Sequence, residues 1–140
     1  HGGVASAIAA LAHSAKQSGA SEATRGWLAQ GRGLPAFGHP LYPQGDVRAQ
    51  ALMQTFELTT TMQDLKKSGE ELSGEAANVD FALCALKDRF ELPADAPLII
   101  FALARTVGWL AHALEQVATG KLIRPRARYV GPPIGHVDNR

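Results

Sequence analysis

The sequence predicts an all-α chain with a long C-terminal helix and an extended tail. Three observations carry this: apolar residues recur at helical spacing in successive stretches, capping residues and glycines separate those stretches, and the residues after Gly120 hold too many prolines and glycines for a helix.

Val4, Ile8, Leu11 and Ala15 recur at steps of four, three and four, one apolar stripe on a first helix that stops near Gly19. Ser21, followed by Glu22, is a candidate N-cap for a short second helix carrying Trp27 and Leu28 into the core, ended by Gly31 and Gly33. The next stretch, "GLPAFGHPLYPQG", is too broken for a helix and too apolar for a solvated linker. Asp46 can cap a third helix that turns Ala49, Leu52, Met53 and Phe56 inward, and a fourth falls within "TTTMQDLKKSGEEL", its threonines leaving the boundary open. Asn78 caps a helix with Val79, Leu83, Leu86 and Phe90 on one face and Asp80 in its first turn. After "LPADAP", Asp95 and Pro97 restart the chain as a helix from about 97 to 118. It is apolar nearly all round, Trp109 included, which predicts burial on most sides. The tail is expected to be extended, with a short strand at "ARYV".

With 140 residues, 46% of them apolar, and a net charge of +1, the chain can build a core and has no long-range field to draw nucleic acid or an anionic membrane. The expected partners are small molecules and a second copy of the chain. The most apolar run, "PLIIFALARTVGWLAHAL", is interrupted by Arg105 and His112, and no membrane span is expected. The single cysteine, Cys84, reads as a buried small hydrophobe, with a nucleophile as the alternative, and its lack of company suits a reducing cytoplasm. The chain opens on "HGG" rather than methionine, and is expected to be the C-terminal part of a longer protein.

Three ionisable residues stand where a backbone can aim them: His1 before two glycines, His39 between Gly38 and Pro40, and Asp80 at a helix start. Taken singly, each has a plain structural reading: a loose terminus, a loop histidine, a first-turn carboxylate favoured by the helix dipole. Arg48 occupies the helix end where a cation gains nothing from that dipole, so another contact should hold it. Arg105 is the one charged residue in the run "PLIIFALARTVGWLAHAL" and, if buried, needs a carboxylate partner, whereas Arg124 reads alone as a surface arginine. Together these groups suit removal of a proton beside a carbonyl in a substrate bearing carboxylates. No histidine or cysteine spacing suggests a metal, and the loop glycines match neither phosphate-binding fingerprint. His13 and His112 read as helix-face histidines and His136 as part of the tail.

The blocks "HGG", "PAFGHPLYPQGDVRA", "NVDFALCAL", "FALARTVGWLAHALEQ" and "LIRPRARYVGP", in that order, resemble the C-terminal part of citrate synthase and its relatives. The resemblance implies a helical fragment of a two-domain fold working as a homodimer, with residues 1–90 as the small domain and 91–140 as the buried helix and tail of the large one. It implies condensation of acetyl-CoA with oxaloacetate, CoA entering and leaving as substrate and product and no cofactor bound permanently. By the same comparison His1 hydrogen-bonds the thioester carbonyl, Asp80 removes the methyl proton and His39 polarises the ketone. Arg48 and Arg105 grip carboxylates, Arg124 reaches a neighbouring site across the dimer, and Leu34, Pro35, Ala36, Phe37 and Gly38 line the CoA site.

Two stretches depart from the family pattern: Ala36 replaces the usual glycine after Pro35, and Val4, Ala5 and Ser6 follow "HGG" where Ala-Asn-Glu is common. Alternatives within the family are 2-methylcitrate synthesis and citryl-CoA cleavage; outside catalysis, the alternative is a domain that senses CoA esters or carboxylates. The 140 residues by themselves are expected to be inactive.

Overall fold

A computed structural model describes residues 3–124, 126–128 and 130–131. Among them are six helices and no strand: α1 (Val4–Ser18), α2 (Ala20–Leu28), α3 (Val47–Met53), α4 (Thr60–Ser73), α5 (Val79–Arg89) and α6 (Ala96–Thr119). The all-α class is as the sequence predicts. The fold divides after Val107 into two compact units.

In the first unit, α1 ends where the sequence places it. Gly19, at φ 89°, turns the chain directly into α2, which starts one residue before the expected cap at Ser21. A left-handed φ of this kind is where glycine is at ease. α1 packs on α2, α4 and α5, α2 packs on α4, and α3 packs on α5. Ile8, Leu11, Met62, Leu65 and Phe81 are fully buried between them, a burial that contributes about 1.5–3 kcal/mol for each large side chain. Phe37 reaches into this core from the loop between α2 and α3, edge-on to Phe81 with ring centroids 5.3 Å apart. Its ring lies against the backbone of α4 at Gly69, where an added Cβ would stand 2.2 Å from Phe37 Cζ. Trp27 is half-buried against the core and donates from its indole nitrogen to the Gly33 carbonyl at 3.2 Å.

α5 is the helix the core surrounds. Asp80, Phe81, Ala82, Leu83, Cys84 and Ala85 are buried in succession, so most of its circumference is covered, and the single face expected from Val79, Leu83, Leu86 and Phe90 understates it. Phe90 is largely exposed and meets Phe56 edge-on at 6.0 Å. Burial pushes the Cys84 thiol up to about 11, as befits an inert core residue. Toward the far end of α5, Asp88 accepts from Lys16 of α1 at 2.6 Å and from Thr59, the N-cap of α4, at 2.7 Å, tying three helices together.

α6 corrects two expectations. Of its 24 residues only Pro97 is buried, and Leu103, Val107, Trp109 and Leu114 are all more than half exposed. Neither the buried helix nor the core position of Trp109 is realised, because none of the described residues covers that surface. The helix is also long and apolar enough to cross a membrane by length and composition, with a mean hydropathy of 1.5 over its most apolar 18 residues. Arg105 does not lower that average enough to interrupt the run.

The second unit holds the end of α6 and the residues after it. Gly120, at φ 60°, ends the helix, and the Gln116 side-chain amide donates to the Lys121 carbonyl. The described residues beyond are irregular; the strand expected at 127–130 does not form at positions 127, 128 and 130, and Tyr129 lies outside the described residues.

Candidate functional site

The site is built where the α2–α3 loop is fastened to the start of α5. The Gly38 N–H donates to the Ala76 carbonyl at 2.8 Å and the Asn78 N–H to the Ala36 carbonyl at 3.0 Å, forming an isolated antiparallel bridge between Phe37 and Ala77. Asn78 then acts twice. Its side-chain oxygen accepts from the Asp80 N–H at 3.0 Å, which is the expected N-cap, and its side-chain amide donates to the Gly38 carbonyl at 2.8 Å. One residue thus starts the helix that carries Asp80 and fixes the loop that carries His39.

Ala36 and Phe37 turn their side chains into the core, which leaves backbone on the outer side of the loop. Ala36 sits at φ 67°, the left-handed region that explains why glycine is usual there; holding a Cβ in it costs roughly 1–2 kcal/mol. Gly38 lies in the same region at φ 71°, and a Cβ there would stand 2.5 Å from Glu75 Oε2 and displace that side chain. Beside this backbone runs an open groove of about 700 Å³, lined by Leu28, Gly33, Leu34, Phe37, Gly38, His39, Pro40, Pro43, Leu72, Ser73 and Glu75. Leu34, Phe37 and Gly38 of the anticipated CoA-binding stretch line it, and Pro35 and Ala36 do not. A larger cavity of about 900 Å³ between α2 and α4 lies among Glu22, Arg25, Asp64 and Lys67, and includes none of the anticipated site residues.

From residue 39 on, two tight turns bring three side chains together, with Tyr42 N–H donating to the His39 carbonyl at 2.9 Å and Gly45 N–H to the Tyr42 carbonyl at 3.0 Å. The Leu41 N–H donates to His39 Nδ1 at 3.1 Å, so the neutral ring carries its proton on Nε2, the form that can donate to a carbonyl oxygen. The Tyr42 ring lies 5.0 Å from the His39 ring and takes the Arg48 guanidinium on its face at 4.8 Å.

Arg48 finds the contact that the helix dipole denies it. Its Nε donates to Asp46 Oδ1 at 2.9 Å and its Nη2 to Asp46 Oδ2 at 2.8 Å. Asp46 Oδ1 also takes the Arg48 N–H at 3.0 Å, which is the α3 cap, and Oδ2 takes the Val79 N–H at 3.0 Å. Burial by itself would raise the Asp46 pKa. The Arg48 guanidinium and the N–H groups of Val79 and Arg48 more than offset it and hold the carboxyl below its ordinary value.

Asp80 shows the opposite balance. It is buried in the first turn of α5, and burial raises its pKa above the ordinary carboxylate value although the positive charge of Arg48 opposes the shift. The helix start and the dry surroundings pull in opposite directions, and burial prevails.

His39, Arg48 and Asp80 are therefore brought together. Arg105 is exposed on α6 and Arg124 is exposed beyond its end, and neither forms an ion pair among the described residues. Arg105 accordingly needs no buried carboxylate. His1 and His136 lie outside the described residues, and His13 and His112 are exposed on helix faces. The sequence marks Asp46 and Asn78 as caps alone and gives Tyr42 no role. The spacing of Asp46 two residues before Arg48 was the available signal, since an N-cap and an arginine in the first turn share one helix end. No group of three or more His, Cys, Asp or Glu residues disposed to hold a metal occurs among the described residues.

Comparison with known proteins places the whole arrangement in a context. Residues 1–126 match the family "Citrate synthase, C-terminal domain". A citrate synthase of Haloferax volcanii is 37% identical, over 74% of this chain and 30% of its own length. A putative citrate synthase 2 of Mycobacterium bovis is 32% identical over 94% of this chain and 39% of its own, and citrate synthase 2 of Bacillus subtilis is 35% identical over 71% and 29%. The chain spans about a third of the length of these curated relatives.

Proposed function

The chain belongs to the citrate synthase family, and from that premise we propose that it carries most of the catalytic residues of an enzyme condensing acetyl-CoA with oxaloacetate to give citrate and CoA. The observation that carries this reading is Asp80, a buried carboxylate with a raised pKa, held near Arg48 and His39.

A thioester methyl is a weak acid, and removing its proton calls for a positioned base stronger than an ordinary carboxylate. Burial makes Asp80 such a base. The enol oxygen that develops charge needs a hydrogen-bond donor, a role assigned to His1. His39, with its proton on Nε2, is suited to donate to the ketone of the keto acid while the enol carbon attacks. Arg48, with a second arginine at Arg105, binds the carboxylates; Arg124 is assigned to a neighbouring subunit's site in a homodimer. The groove beside Leu34, Phe37 and Gly38 is of a size to take part of a CoA chain, as product and substrate and not as a resident cofactor. Residues 1–90 act as the small domain and 91–140 join the large one, in a cytoplasmic enzyme.

The test is release of CoA thiol by the full-length protein. Release that requires both acetyl-CoA and oxaloacetate is expected. Faster release with propionyl-CoA would reassign the enzyme to 2-methylcitrate synthesis, and release from citryl-CoA alone would make it a lyase. Stabilisation by CoA esters without any release would make it a sensor. The 140 residues alone are expected to release none.

A further inference from the structure

We propose that Asp46 is a positioning residue that locks Arg48 and the start of α5 into one unit, so that the group gripping the keto acid and the base on Asp80 keep a fixed separation. This rests on the reading of the site given above.

Capping does not account for this residue. The α3 cap uses one hydrogen bond, the Arg48 N–H at 3.0 Å, and serine, threonine or asparagine would supply it. Asp46 is instead a carboxylate with 2% exposure, and removing that charge from water is costly unless the charge is used. It is used fully. Each oxygen takes one nitrogen of the Arg48 guanidinium and one backbone N–H, and the two N–H groups belong to different helices, at Arg48 and Val79. Asparagine has one acceptor oxygen, so its amide would face donors with a donor.

The consequence lies one residue further on. Val79 precedes Asp80, so the carboxylate that aims the guanidinium also holds the helix turn from which the base projects. A shift of α3 against α5 that moved Arg48 away from Asp80 would break bonds at Oδ2. The two charges also act on Asp80 in opposite senses, Arg48 favouring its ionised form and Asp46 disfavouring it.

The experiment compares full-length wild-type protein with Asp46→Asn and Asp46→Glu in the condensation assay. For Asp46→Asn the KM for oxaloacetate is expected to rise roughly tenfold with a fall in kcat, while the KM for acetyl-CoA stays within about twofold. Its acid limb in the pH profile of kcat/KM moves to lower pH, because the negative charge that opposed Asp80 ionisation is gone. Asp46→Glu keeps the charge and displaces it by a methylene, so its acid limb stays with the wild type while the oxaloacetate KM remains raised. A purely structural cap would lower thermal stability and leave the KM split and the acid limb unmoved; that result overturns the proposal. Failure of both variants to fold would make Asp46 a folding residue and overturn it as well. An inactive wild type overturns the reading of the site and this role together, whereas an active wild type with indistinguishable variants overturns this role alone.

Discussion

α5 and α6 differ in the opposite sense from their compositions. α6 is the longer and more apolar helix, yet Pro97 is its only buried residue, whereas α5, ending in Lys87, Asp88 and Arg89, buries six residues in succession. Composition states what a helix needs; the neighbours that the chain supplies decide whether it gets it. α1 and α3 pack on α5, and the α2–α3 loop is fastened to its start. The site lies there because that is where the covered helix begins and where two helix N-termini share one carboxylate.

Truncating one large side chain in each helix is the sharpest way to break this comparison. In the 140-residue chain, Phe81→Ala should cost about 3–5 kcal/mol in denaturant unfolding, and Leu103→Ala should fall within about 0.5 kcal/mol of the parent. Equal costs would mean that α6 is packed in this chain after all. Next in size is Gly69→Ala, which forces a Cβ into the Phe37 ring and should destabilise by roughly 1–3 kcal/mol or more; a neutral result would show that the Phe37 anchor of the loop is loose.

Acid should then separate the carboxylates. Asp46 and Asp88 have lowered folded pKa values, so their stabilisation is present above the ordinary aspartate value of 3.8 and is lost as pH falls through the folded values. Unfolding midpoints should drop below about pH 4, and Asp88→Asn should flatten the drop. The smallest expected effect is at the end of α5, where Glu91 takes φ 52° in a left-handed turn closed by the Leu92 N–H on the Lys87 carbonyl at 3.0 Å. Glu91→Gly should stabilise by about 0.5–1 kcal/mol, and a loss would show that the side chain contributes more than its backbone strain costs.

Local features were legible in the sequence. The α1 stripe, the caps at Asp46 and Asn78, and the family blocks all depend on residues near one another in the chain. What could not be read depends on residues far apart. The Asp46 bond to Val79, the Asn78 bond to Gly38 and the cover on α5 are long-range. So is the burial of Asp80, which decides a contest between dipole and desolvation that residue order leaves open. The exposure of α6 was illegible for a related reason, because an apolar helix looks the same whether or not this chain covers it.

Asp80→Asn tests the central claim most directly, since the same residue should carry activity and oppose stability. The folded state holds the Asp80 proton more tightly than the unfolded chain does, so its contribution to stability falls as pH rises from the ordinary carboxylate value through the raised one. In full-length protein at neutral pH, the variant should lose CoA thiol release by about a hundredfold or more while its unfolding midpoint rises. Turnover like the wild type, or a midpoint that falls, would contradict the account.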